Sequence, residues 1–271
     1  MADQESDFYE PLQLCRQHGV AFVIRSYQDR RLAGAAGHLR PTLAQTKVLG
    51  ELTVTLRARG SEPARKARVE VRSMRVDLDG PWRPGGWQPP LLDRGAVEVR
   101  EVGAPAHVKA PLHWVLLASL PCTTWAEVQR VIGRYTARWW IEEYHKALKT
   151  GTGVEASQLE HRHRLEALIA VLAVVAVRLL STKLLARSRP QSTEAAASFG
   201  PEMLARLEQK FGLPKDGWTN QSVMTAIARL GGFLARKHDG PPGWLTIWRG
   251  WQKLMSMCEG VNLMKDQKRC G

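Results

Sequence analysis

The chain has 271 residues, 44% of them hydrophobic, enough for one large domain or two smaller ones. Lysine and arginine number 39 against 26 aspartates and glutamates, a formal +13, which points to a polyanionic partner, nucleic acid ahead of an anionic membrane surface. Four scattered cysteines (Cys15, Cys122, Cys258, Cys270) exclude a disulfide framework and a paired-cysteine zinc site, and suit a reducing cytoplasm.

In chain order, Met1-Ala2-Asp3-Gln4-Glu5-Ser6-Asp7 is acidic with no apolar run behind it, unlike a secretory signal. Residues 6–18 predict a helix that ends at Gly19. The run Val20-Ala21-Phe22-Val23-Ile24-Arg25-Ser26 predicts a strand buried on both faces. From Tyr27 to about Ala110 the pattern changes. Val69-Glu70-Val71-Arg72 and Val97-Glu98-Val99-Arg100 alternate with period two, as strands exposed on one face do, and Leu52-Thr53-Val54-Thr55-Leu56 also suits a strand. The Pro- and Gly-rich residues 81–87 read as loop. This β region is rich in arginine (Arg57, Arg59, Arg65, Arg68, Arg72, Arg75), either a solvated face or a phosphate-contacting one.

His113-Trp114-Val115-Leu116-Leu117-Ala118-Ser119 returns to the buried-strand pattern. Helices are expected over residues 124–149, 157–186, 201–211, 221–236 and 245–257, with a loop over 190–199 and a polar tail. The most apolar segment, 165–180, carries Glu166 and Arg178; its uninterrupted part, 167–177, falls short of the ~20 residues of a membrane span and reads as a buried core helix.

The helix over 124–149 carries the chemistry. On a wheel of ~100° per residue, Tyr135, Arg138, Glu142, Lys146 and Lys149 share an arc of roughly 80°, whereas Glu143 lies ~100° beyond Glu142. Such a face offers a carboxylate that can hold a divalent metal and cations that can grip phosphates. Periodicity alone equally allows a solvated face with Glu–Lys pairs.

The order Tyr135, two residues, Arg138, three residues, Glu142, six residues, Lys149 resembles the signature of a subgroup of bacterial insertion-sequence transposases. These are cut-and-paste enzymes that pass through a DNA hairpin and use an Asp-Asp-Glu metal site on a ribonuclease-H-like fold. Ile141-Glu142-Glu143-Tyr144-His145-Lys146 also looks like that family around its glutamate. Asp3-Gln4-Glu5-Ser6-Asp7, followed by a helix and Phe22-Val23-Ile24-Arg25-Ser26, is similar to the family's segment for its second aspartate, with Gln4 in place of the usual arginine. Trp114 matches a tryptophan that stacks on a base flipped out of the hairpin end; a tryptophan on a buried strand is otherwise core. The segment 231–240, with Trp248-Arg249-Gly250-Trp251, looks like the family's C-terminal dimerisation region; plain helix packing would equally explain Trp244 and its neighbours. His161-Arg162-His163-Arg164 is open to DNA contact or to plain solvation, with the solvated reading ahead.

The resemblance implies an α/β fold: a partial ribonuclease-H-like core over 1–26 and 111–190, an inserted antiparallel β region over 27–110, and an all-α dimerisation region over 191–271. It implies Asp3 and Glu142 as catalytic residues and metal ligands for two Mg²⁺ (or Mn²⁺) ions. Tyr135, Arg138, Lys146, Lys149, Trp114 and Arg25 are then DNA-binding, on transposon ends. Only Met1 and Ala2 precede Asp3, so the strand with the first aspartate is not in the sequence as it stands. The expectation is a DNA transposase fragment, cytoplasmic and not membrane-bound, inactive and poorly soluble alone. It would pair with itself or with a full-length transposase. The alternative is a non-catalytic DNA-binding or dimerisation partner that inhibits such an enzyme.

Overall fold

A computed structural model describes residues 1–34, 37–56 and 63–269, and of 264–269 the backbone alone. Arg57, Arg59 and Cys270 lie outside the described residues. The chain divides into two compact units, Met1–Arg138 and Trp139–Gly271.

In the first unit a 3₁₀ turn, Gln4–Ser6, precedes α1 (Tyr9–Gln17), so the helix expected over 6–18 starts later. Gly19 follows α1 at φ +64, as expected of a C-terminal glycine. Next come β1 (Val23–Arg25), α2 (Leu39–Ala44), β2 (Val48–Leu56) and β3 (Arg65–Leu78). The residues read as loop form a minimal hairpin, β4 (Trp82–Arg83) with β5 (Gly86–Trp87). Two strands, β6 (Leu91–Glu101) and β7 (His113–Ala118), and helix α3 (Trp125–Ala137) complete the unit. Five strands form one antiparallel sheet in the order β1-β7-β6-β3-β2. It runs without a break through the segments expected as core and as insert.

Period-two alternation sorts the sheet's apolar side chains onto two faces. Ile24, Ala96, Val115 and Leu117 face Tyr9 and Leu12 of α1 and Leu39 and Leu43 of α2. Val23, Val69, Val71, Val97, Val99, Leu116 and Ala118 face Val128, Val131, Ile132 and Tyr135 of α3. Thr124 caps α3 with a capping box: Glu127 N–H donates to its hydroxyl, and the Glu127 carboxylate accepts from its N–H. The strand expected over residues 20–26 is shorter, and Val20 is exposed. Alternation also placed Glu98 towards solvent. It is buried instead, because His113 and Arg72 on the flanking strands pair with it.

The single helix expected over 124–149 is broken twice. The first helix, α3, ends at Ala137, and Arg138 N–H reaches back three residues to the Tyr135 carbonyl at 3.0 Å. The second, α4 (Trp139–Lys146), runs into a π turn, Ala147–Gly151. A wheel drawn for one ideal helix therefore does not hold across the whole segment.

The second unit continues with a 3₁₀ turn, Val154–Ala156, and α5 (Arg162–Ser188). A short α6 (Glu194–Ala197) lies inside the expected loop. The remaining helices are α7 (Pro201–Phe211), α8 (Asn220–Leu230) and α9 (Trp244–Arg269); α8 stops short of the expected 236, and α9 runs on through the expected tail. Their core gathers Leu179, Leu180, Leu207, Val223, Ile227, Trp244, Ile247, Trp251 and Leu254. The spacing of Trp244, Ile247, Trp251 and Leu254 keeps one face of α9 turned inward. The Trp244 and Trp251 side chains are thus packed.

The expectation of a buried core helix over residues 165–180 is overturned. With its 27 residues α5 is long and apolar enough to cross a membrane by length and composition, and 22% of its most apolar window is buried. Its C-terminal half enters the core through Ala176, Leu179 and Leu180, while Ile169, Val171, Val174 and Val177 are exposed.

Candidate functional site

Backbone pairing positions Asp3. Ala2 bridges Ile24 in parallel: its N–H donates to the Val23 carbonyl at 3.1 Å, and its carbonyl accepts from Arg25 N–H at 3.3 Å. This lays Asp3 beside the C-terminal end of β1. Asp3 Oδ1 accepts from Gln4 N–H at 2.7 Å and caps the 3₁₀ turn, and Oδ2 pairs with Arg138 Nη2 at 3.0 Å.

A second carboxylate, which sequence reasoning missed, shapes the chain beyond β1. Asp7 is 2% exposed. It accepts from Ser26 Oγ, from the N–H groups of Tyr27 and Gln28, and from Arg30 at 2.5 Å. An acidic residue in an acidic run carries no signal of this; only the fold brings residues 26–30 to it.

Tyr135 is buried on α3, with its ring edge-on to Trp114 at a centroid distance of 5.3 Å. Burial first, and then the charge of Asp3, raises its phenol pKa above the ordinary value, against the pull of Arg25 and Arg138. The phenol therefore stays protonated and can donate at neutral pH. Arg25 Nη2 donates to the His113 carbonyl at 3.2 Å. His113 Nε2 lies 2.8 Å from Glu98 Oε1. That hydrogen bond is the main reason the Glu98 carboxyl is held below the usual carboxylate range, with Arg72 assisting. Beside Trp114 opens a groove of about 630 Å³ lined by Gln4, Arg25, Tyr27, Arg40 and His113. Arg40 Nη2 donates to the Tyr27 carbonyl at 2.8 Å, but its buried Nε has no acceptor among the described residues. The groove thus offers two guanidinium groups, an indole edge and an unsatisfied donor, a set suited to an anionic, ring-bearing ligand.

The first unit therefore brings together Asp3, Arg25, Trp114, Tyr135 and Arg138. Glu142, Lys146 and Lys149 belong to the second unit. Glu142 is half-buried on α4. Glu143 is committed to packing: it accepts from Trp244 Nε1 at 3.2 Å and pairs with Lys146 at 3.7 Å. Lys146 also lies over the Trp139 ring at 5.2 Å. Lys149 sits in the π turn and pairs with Glu155 at 2.9 Å. Lys146 and Lys149 line one shallow hollow with His145 and Thr150.

Among the described residues no three side chains of His, Cys, Asp or Glu gather as a metal-holding group. The Asp3 carboxylate is already held by Arg138 and Gln4. A pair of divalent ions needs bridging and terminal oxygen ligands, and Asp3 by itself does not make such a set.

Residues 3–178 match the family described as Transposase DDE domain, and residues 174–271 match the family described as Transposase Tn5 dimerisation domain. The first match takes in Asp3, Trp114, Tyr135 and Glu142; the second covers the C-terminal half of α5 and all of α6 to α9. The chain belongs to the DDE transposases, proteins of DNA transposition and insertion sequences. Within that class it carries a dimerisation module of the Tn5 type.

Proposed function

We propose that this chain serves a cut-and-paste DNA transposase of the Tyr-Arg-Glu-Lys, hairpin-forming subgroup, and that these residues alone grip DNA without cutting it. The observation that carries the reading is the cluster in which Arg138 pairs with Asp3 beside Tyr135, Trp114 and Arg25. Arginine forks and a neutral phenol bind phosphate oxygens, and an indole at the groove can take an unstacked base. Residues 1–26 and 111–190 act as part of a ribonuclease-H-like core, residues 27–110 as an inserted β region and residues 191–271 as the dimerisation region. The ligand is the DNA of transposon ends, and the protein partner is a second copy or a full-length transposase.

A DDE transposase normally uses divalent metal ions, Mg²⁺ or Mn²⁺, which supply Lewis-acid chemistry at the scissile phosphate. Asp3 and Glu142 are the residues of this chain we assign to them. Asp3 is engaged by Arg138 and Gln4, which supports the reading of a chain that grips DNA without cutting it.

A fluorescent base analogue at the tip of a DNA hairpin tests the grip. Wild-type chain should quench it by stacking, and Trp114→Ala should abolish the quenching while leaving duplex binding within about threefold, since stacking adds roughly 1–3 kcal/mol per base. Equal quenching by both proteins would overturn the role of Trp114.

The dimerisation-domain match favours a second reading, an inhibitor that titrates full-length enzyme into unproductive dimers. Added to a transposition reaction of a full-length relative, the chain should then lower the yield in proportion to its concentration. An unchanged yield would discard the inhibitor reading and leave the first.

A further inference from the structure

The C-terminal helices carry a cationic groove remote in sequence from every residue assigned above. It measures about 780 Å³ and is lined by Lys210 at the end of α7, Arg229 at the end of α8, and Arg249, Gln252 and Lys253 on α9, over a floor that includes Phe211. Among the described residues no carboxylate lines it. All four cations are exposed. Arg229 lies over the Phe211 ring at 4.6 Å, and none of the four forms an ion pair among the described residues.

Helix electrostatics account for two of these charges. Lys210 and Arg229 occupy last turns, where a cation complements the helix dipole. Arg249 and Lys253 have no such reason: they lie in the N-terminal half of α9, four residues apart on one face, where like charges repel. Four convergent, uncompensated cations raise the local potential and favour a polyanion over a single small anion. Arginines at three helices' junction can fork phosphate oxygens.

We propose that this groove is a second DNA-backbone site, by which the helical unit holds phosphodiester groups independently of the Asp3–Tyr135 cluster. The proposal rests on the transposase reading, which supplies DNA as the polyanion at hand. It gives the dimerisation region a share of DNA affinity without sequence preference, because phosphate contacts carry none.

Fluorescence anisotropy of the full chain with a non-specific duplex, over a series of KCl concentrations, tests it. The variant K210Q/R229Q/R249Q/K253Q changes only exposed side chains, and its thermal unfolding should match wild type. Its affinity should fall at least tenfold, and the slope of log K against log salt should become shallower by about 2–4, at ~0.9 for each phosphate that is no longer neutralised. A variant with wild-type affinity and slope overturns the proposal. If R25Q/R138Q lowers the slope while the quadruple variant does not, the groove proposal alone falls. If wild type binds no duplex, both readings fall together. Polyglutamate displacing the duplex as well as polyphosphate does would mark the groove as an acidic-protein surface, also overturning it.

Discussion

Asp7 serves several partners at once: it closes the turn after β1 through Ser26, Tyr27 and Gln28 and neutralises a nearly buried Arg30. Replacing it with asparagine keeps the shape but leaves that guanidinium uncompensated. Breaking such a buried pair costs about 3–5 kcal/mol, so Asp7→Asn should lower unfolding stability by that order in urea titrations. A loss under ~1 kcal/mol would contradict the network described. Glu127 makes a pH-dependent prediction. Hydrogen bonds first from the Thr124 backbone and then from Thr123 draw its carboxyl from 4.5 down to about 2. A folded value below the unfolded one means the contribution is complete above about pH 4.5 and drains away as pH falls towards 2. The stability gap between wild type and Glu127→Gln should therefore narrow over that window; a gap independent of pH would refute the capping role. Thr124 was legible as the start of the helix over 124–149, though its cap with Glu127 appears only in the structure. Asp7 and Glu98 were not legible, because their partners lie on other segments.

At the scale of elements, the sheet was readable because alternation in residues 69–72 and 97–100 reports burial directly. What could not be read was the break at Arg138, which neither a proline nor a glycine marks, and the π turn after Lys146, whose Gly151 reads only as a helix end; a wheel assumes regular geometry. The packing of α8 on α9 also escaped the sequence. A Cβ at Gly250 would sit 1.8 Å from the Ile227 carbonyl oxygen, and one at Gly231 would sit 1.9 Å from that of Thr246. Both atoms are backbone, so the helices must separate to admit a methyl group. Gly250→Ala should cost about 1–3 kcal/mol, the usual penalty of overpacking, and should loosen the Trp251 environment seen by fluorescence. Alanine tolerated at both positions would mean the helices do not meet as described.

At the scale of the molecule, the basic balance and the ordered motifs pointed to a DNA transposase, and the family matches agree with that class. The exposure of α5 was not legible, since apolar composition alone reads as core. Ile169, Val171, Val174 and Val177 leave an apolar strip open to solvent, the kind of surface that drives association. Val171→Ser with Val174→Ser should raise the concentration at which the chain aggregates while changing stability by less than ~0.5 kcal/mol. Aggregation unchanged by the pair would contradict a role of this strip in association. We propose a chain that holds DNA without cutting it, because Asp3 and Glu142 alone do not supply the bridging and terminal ligands of a two-metal site. The direct measurement is incubation of the purified chain with end-labelled transposon-end DNA in Mg²⁺ or Mn²⁺, followed on a denaturing gel. Bound, uncut DNA is the predicted result; cleavage by the wild-type chain that disappears in Glu142→Gln would contradict it.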